Sequence, residues 1–65
     1  MQDYHEPQPG DLRVWRMCDI TDLNGTVMLI TDIYEKQGVR WAKVIFNGAM
    51  TTFTYQTLLL ETRPV

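Results

Sequence analysis

At 65 residues, with a formal net charge of −2 and 45% hydrophobic residues, the chain has the size of one small globular domain, which hides only about 60% of the surface its unfolded form exposes. This composition excludes a disordered polymer, and the longest apolar run, Val27-Met28-Leu29-Ile30, is far too short to span a membrane. The single Cys18 excludes an internal disulfide, a zinc cluster and a CxxC redox pair.

Residues 1–9 contain Tyr4 as their only large apolar side chain, together with Pro7 and Pro9, and are predicted to form an extended arm. The start, Met1-Gln2-Asp3-Tyr4-His5, has neither a basic nor an apolar signal region, so a protein that is not secreted is expected. Gly10-Asp11 reads as a turn into a first strand, Leu12 to Met17, with Leu12 and Val14 inward and Trp15 outward. Asp19 to Gly25 is rich in turn formers and reads as a loop.

The second strand, Thr26 to Tyr34, breaks strict alternation, which predicts a β-bulge near Leu29 and an inward set of Val27, Ile30 and Ile33. Glu35 to Gly38 connects it to a third strand, Val39 to Phe46. There Ala42, Val44 and Phe46 face the core and Trp41, Lys43 and Ile45 face out. Asn47-Gly48 predicts a type I′ hairpin turn into a fourth strand, Met50 to Thr54, with Phe53 inward. A single 3₁₀ turn at Tyr55 to Leu58 and a fifth strand, Leu59 to Thr62, complete the pattern. The fold class expected is all-β: a small five-stranded, partly open barrel over residues 10–65, with the extended N-terminal arm at 1–9.

Chemistry is sparse. His5 sits alone in the arm with nothing to hold it within reach of a reacting group. Asp22-Leu23-Asn24-Gly25 resembles the middle of a calcium loop, but Ile20 and Thr31 occupy its terminal ligand positions. No phosphate-binding, dinucleotide, nucleophile-elbow or HExxH motif occurs, so neither an enzyme, a metal nor a cofactor is expected. What remains is surface. Alternation puts Trp41 and Ile45 outside, with Trp15, and tryptophan is common among interface anchors, so these residues and Tyr4 of the arm are the candidate contacts to another protein chain. The alternative is nucleic-acid binding through Arg40, Trp41 and Lys43, against which stand the negative net charge and the absence of any run of adjacent Lys or Arg.

The segments Pro9-Gly10-Asp11-Leu12-Arg13-Val14, Gly25-Thr26-Val27 to Ile33, Trp41-Ala42-Lys43-Val44-Ile45-Phe46, Thr51-Thr52-Phe53 and Leu58-Leu59-Leu60-Glu61 occur in an order that resembles small SH3-like barrel proteins. Over residues 9–61 the chain is similar to short proteins of tailed bacteriophages that open with a GD-L-V-x-V strand and carry a W-x-K-V-x-W strand; here Phe46 stands where that pattern has tryptophan. Ribosomal and transcription modules of the KOW kind share the barrel, but their basic loop residues are missing. The resemblance implies a non-enzymatic adaptor or structural component: a minor head, decoration or neck protein of a virion, or a host-directed phage factor. It would be located in the virion or the bacterial host cytoplasm, with a capsid or other virion protein, or a second copy of itself, as partner.

Overall fold

The computed structural model describes residues 6–16 and 23–65. The chain forms five strands, β1 (Leu12–Trp15), β2 (Val27–Lys36), β3 (Val39–Phe46), β4 (Ala49–Thr54) and β5 (Thr62–Pro64), with one helix, α1 (Tyr55–Glu61), between the last two. All neighbouring pairs are antiparallel, and the order β4-β3-β2-β1-β5 leaves the sheet unclosed, a partly open barrel.

Local chemistry sets the hairpins. Asn47 and Gly48 both have positive φ, 53° and 74°, as the predicted type I′ turn requires, and they bring Phe46 opposite Ala49. The same device joins β2 to β3. Gln37 and Gly38 take φ of 54° and 79° and pair Lys36 with Val39, so β2 runs two residues further than its composition suggests.

The bulge in β2 lies at Thr31, later than the predicted Leu29. Ile30 pairs with Val44 and Asp32 with Lys43, leaving Thr31 as the extra residue, and its hydroxyl donates to the Lys43 carbonyl at 3.1 Å. The inward set of β2 is therefore Met28, Ile30 and Ile33. Val27, expected inside, is 46% exposed, whereas Met28 is 1% exposed. In β1 the expected faces are reversed as well. Leu12 is 50% exposed, and Arg13 and Trp15 lie on the inner face. Val14, expected inside, is buried at the outer side between its cross-strand neighbours Val27 and Arg63. The indole of Trp15 removes more apolar surface from water than Leu12 could, and a two-residue period lets only one parity point inward.

The core consists of Trp15, Met28, Ile30, Ala42, Val44 and Leu58, with Leu23, Ile33, Phe46 and Phe53 packed against it. Trp15 stands edge-on to Phe53 and Phe46, with ring centroids 5.2 and 6.2 Å away. The inward assignment of Ala42, Val44, Phe46 and Phe53 thus agrees with the structure. Val44, fully buried between Ile30 and Thr51, gives a direct check: Val44→Ala is expected to lower unfolding free energy by about 1–3 kcal/mol in a urea titration.

The stretch after β4 is a seven-residue α-helix, in place of the expected 3₁₀ turn and early fifth strand. Its start is capped by Thr54, whose hydroxyl accepts the Thr57 N–H at 3.3 Å and shares a 2.8 Å hydrogen bond with the Thr57 hydroxyl. Tyr55 and Leu58, one turn apart, face inward; Leu60 is 60% exposed. A helix this short gains little from propensity, so burial of Leu58 across the open end of the barrel stabilises it.

Candidate protein-contact face

Two side chains that composition marks as reactive or sticky are occupied structurally. Trp15, expected on the surface as a protein contact, is 2% exposed at the centre of the core, which corrects that assignment. Arg13 is 3% exposed. Its guanidinium donates to the Thr62 hydroxyl at 2.9 Å and to the Leu58 and Thr62 carbonyls at 3.1 Å each, tying β1 to the last turn of α1 and to β5. Neither residue is available to a ligand.

The outer face of the sheet is where exposed apolar side chains gather. Directly paired residues in an antiparallel sheet point to the same side, so the register can be followed from strand to strand. Leu12 pairs with Leu29, Leu29 with Ile45, and Ile45 with Met50. These four stand 50%, 37%, 37% and 59% exposed, a single aliphatic row across β1, β2, β3 and β4 about 14 Å long at the usual strand spacing. Val27 widens it along β2, and Val65, whose N–H donates to the Leu12 carbonyl, lengthens it past β1. Ile45 is the one member that sequence reasoning identified.

Beyond a polar row of Asp32, Lys43 and Thr52, the same face carries Trp41 opposite Tyr34. Trp41 is half-buried and Tyr34 exposed, and with Lys36, Gln37, Val39 and Thr52 they line a shallow groove near the β2–β3 turn. Trp41 and Ile45 therefore share a face but belong to separate patches. Arg40 does not join Trp41 and Lys43. Alternation sends it to the other side of β3, where its guanidinium carbon lies 3.9 Å from the centre of the Tyr55 ring in a cation–π contact. The proposed basic trio is thereby split.

Tyr4, His5 and Cys18 fall outside the described residues. The nearer part of the arm is held: Pro7 is buried, the Gln8 N–H donates to the Asp11 carboxylate at 3.0 Å, and the Asp11 N–H donates to the Gln8 carbonyl at 3.1 Å. Among the described residues no three His, Cys, Asp or Glu side chains come together as a metal site, and no helix is long and apolar enough to cross a membrane. Set against known proteins, the chain matches no family model, and neither a curated protein nor a solved structure matches it.

Alternation alone places Leu12 and Val27 in the interior, which hides the aliphatic row. The signal that finds it is present in the sequence: an Asn47-Gly48 type I′ turn obliges Ile45 to face Met50, so an outward Ile45 implies an outward Met50.

Proposed function

We propose that this chain is a non-enzymatic protein–protein interaction module whose contact surface is the outer face of the sheet. The observation that supports this reading is the row Leu12, Leu29, Ile45 and Met50, each more than a third exposed and each in direct register with the next. Apolar side chains scattered singly over a small protein are ordinary, whereas a contiguous row is the pattern of a contact surface. The likeness to short tailed-phage proteins extends the proposal to a setting, a minor head, decoration or neck component of a virion or a host-directed phage factor.

A photo-cross-linking residue at Leu29, in the middle of the row and away from the β4 edge, is expected to capture the partner in cells that produce the protein. Ile45→Lys is then expected to weaken binding of that partner by about 2 kcal/mol or more, the scale of a lost interface anchor. Its thermal midpoint should stay close to the parent's, because the substitution is outside the core cluster. Unchanged binding of the captured protein by Ile45→Lys would remove this face as the contact surface.

The aromatic pair Tyr34 and Trp41, flanked by Lys36 and Lys43 on the same face, favours a second reading, single-stranded nucleic acid stacked on the two rings. Trp41→Ala separates the two: it abolishes any salt-dependent oligonucleotide binding, while capture through Leu29 continues.

A further inference from the structure

The sheet has two edges, β4 and β5, and they differ in kind. β5 is three residues long and carries Arg63 and Pro64, a charge and a residue with no N–H, both of which discourage strand addition. β4, Ala49-Met50-Thr51-Thr52-Phe53-Thr54, has neither charge nor proline, and its register with β3 runs without a bulge.

That register also determines which backbone groups face the open side. Phe46 and Ala49 close a two-residue turn and form a hydrogen-bonded pair, so Ala49, Thr51 and Phe53 exchange bonds with β3. Met50 and Thr52 direct their N–H and C=O groups outward. Among the described residues no loop, turn or cap hydrogen bond reaches either of them, and both residues are exposed.

We propose that a second copy of this chain adds to this edge, β4 against β4, antiparallel about a two-fold axis through Thr51 and perpendicular to the sheet. Met50 of each copy then lies opposite Thr52 of the other, and each such pair exchanges two N–H···O=C bonds. Three observations select a second copy. The strand is uncharged, so a two-fold brings no like charges together. Its outward donors and acceptors are spaced so that the strand is complementary to itself. The other edge is guarded, so association closes at two copies and does not run on as a filament. Such an axis keeps the outer faces on the same side and makes the Met50 ends of the two aliphatic rows diagonal neighbours across the seam. The pairing stands on the edge alone; the doubled contact face rests on the function proposed above.

Sedimentation equilibrium from micromolar to millimolar protein tests it. The parent is expected to dimerise, and Thr52→Pro to be monomeric with a nearly unchanged thermal midpoint, since it removes only an outward N–H and fills the approach of the second strand. Ile45→Lys, which alters the face and spares the edge, is expected to dimerise like the parent even where it loses other partners. A monomeric parent over the whole range, a Thr52→Pro dimer as tight as the parent's, or loss of the dimer in Ile45→Lys would each overturn the proposal. Should Thr52→Pro fail to fold, amide exchange on the parent decides. Protection at Met50 and Thr52 that rises with protein concentration supports the pairing, and concentration-independent exchange overturns it.

Discussion

Trp15→Ala is expected to leave the protein largely unfolded at room temperature. Truncating a fully packed tryptophan costs about 3–5 kcal/mol, and below about 70–80 residues a single core rarely supplies more than about 3–5 kcal/mol of net stability. The ring is 2% exposed and touches both Phe46 and Phe53 edge-on, so its loss removes the centre of a three-ring cluster as well as its own buried area. Far- and near-ultraviolet circular dichroism of the purified variant, with a urea titration of the parent alongside, measures the effect. A variant that stays folded with less than about 1 kcal/mol lost would return Trp15 to the surface.

Arg13→Met should cost about 1–3 kcal/mol by a different route. The aliphatic stem would still fill its space, but the Leu58 carbonyl, the Thr62 carbonyl and the Thr62 hydroxyl would each lose a donor in a site where Thr62 is fully buried. An unsatisfied buried polar group costs about 1–3 kcal/mol. The acceptors are not left bare, which keeps the loss within that range: the Thr62 N–H and hydroxyl still donate to the Leu58 carbonyl, and the Arg63 guanidinium to the Thr62 carbonyl at 2.7 Å. Arg13→Lys is expected to recover only part of the loss: an ammonium can reach one or two of these acceptors but lacks the planar fork that spans them. Amide exchange should show the damage first at the end of α1 and in β5, where those acceptors lie. Equal loosening throughout the sheet would mean that Arg13 acts through packing alone.

The β3–β4 hairpin shows what is legible in short range. Asn47-Gly48 and Gln37-Gly38 are two-residue turns with positive φ at both positions, and from the first of them the β3–β4 pairing follows without any tertiary information. The alternation of Ala42, Val44 and Phe46 against Trp41, Lys43 and Ile45 likewise reads directly as two faces, because β3 has a neighbour on each side and no bulge of its own.

β1 was misread for a reason of the opposite kind. Leu12 and Val14 look like the core face of a strand only while Arg13 is assumed to need water. Its acceptors come from Leu58 and Thr62, which are 45 and 49 residues away in sequence, and no local pattern announces that they will meet. The position of the bulge in β2 is a similar case. Any residue in the apolar run could be the extra one, and Thr31 takes the place because its hydroxyl finds the Lys43 carbonyl across the ladder.

The all-β class, the Asn47-Gly48 turn, the strand count and the inward face of β3 and β4 are legible in the residues alone, because all of them depend on side-chain period and on backbone conformations available to a few neighbouring residues. Which face of β1 and β2 is buried, that the segment after Thr54 is helical, and that Leu12, Leu29, Ile45 and Met50 form one row beside the β4 edge emerge only in the folded chain. Those outcomes depend on partners brought together across the sheet, and a two-residue period leaves both parities open until one of them finds its contacts.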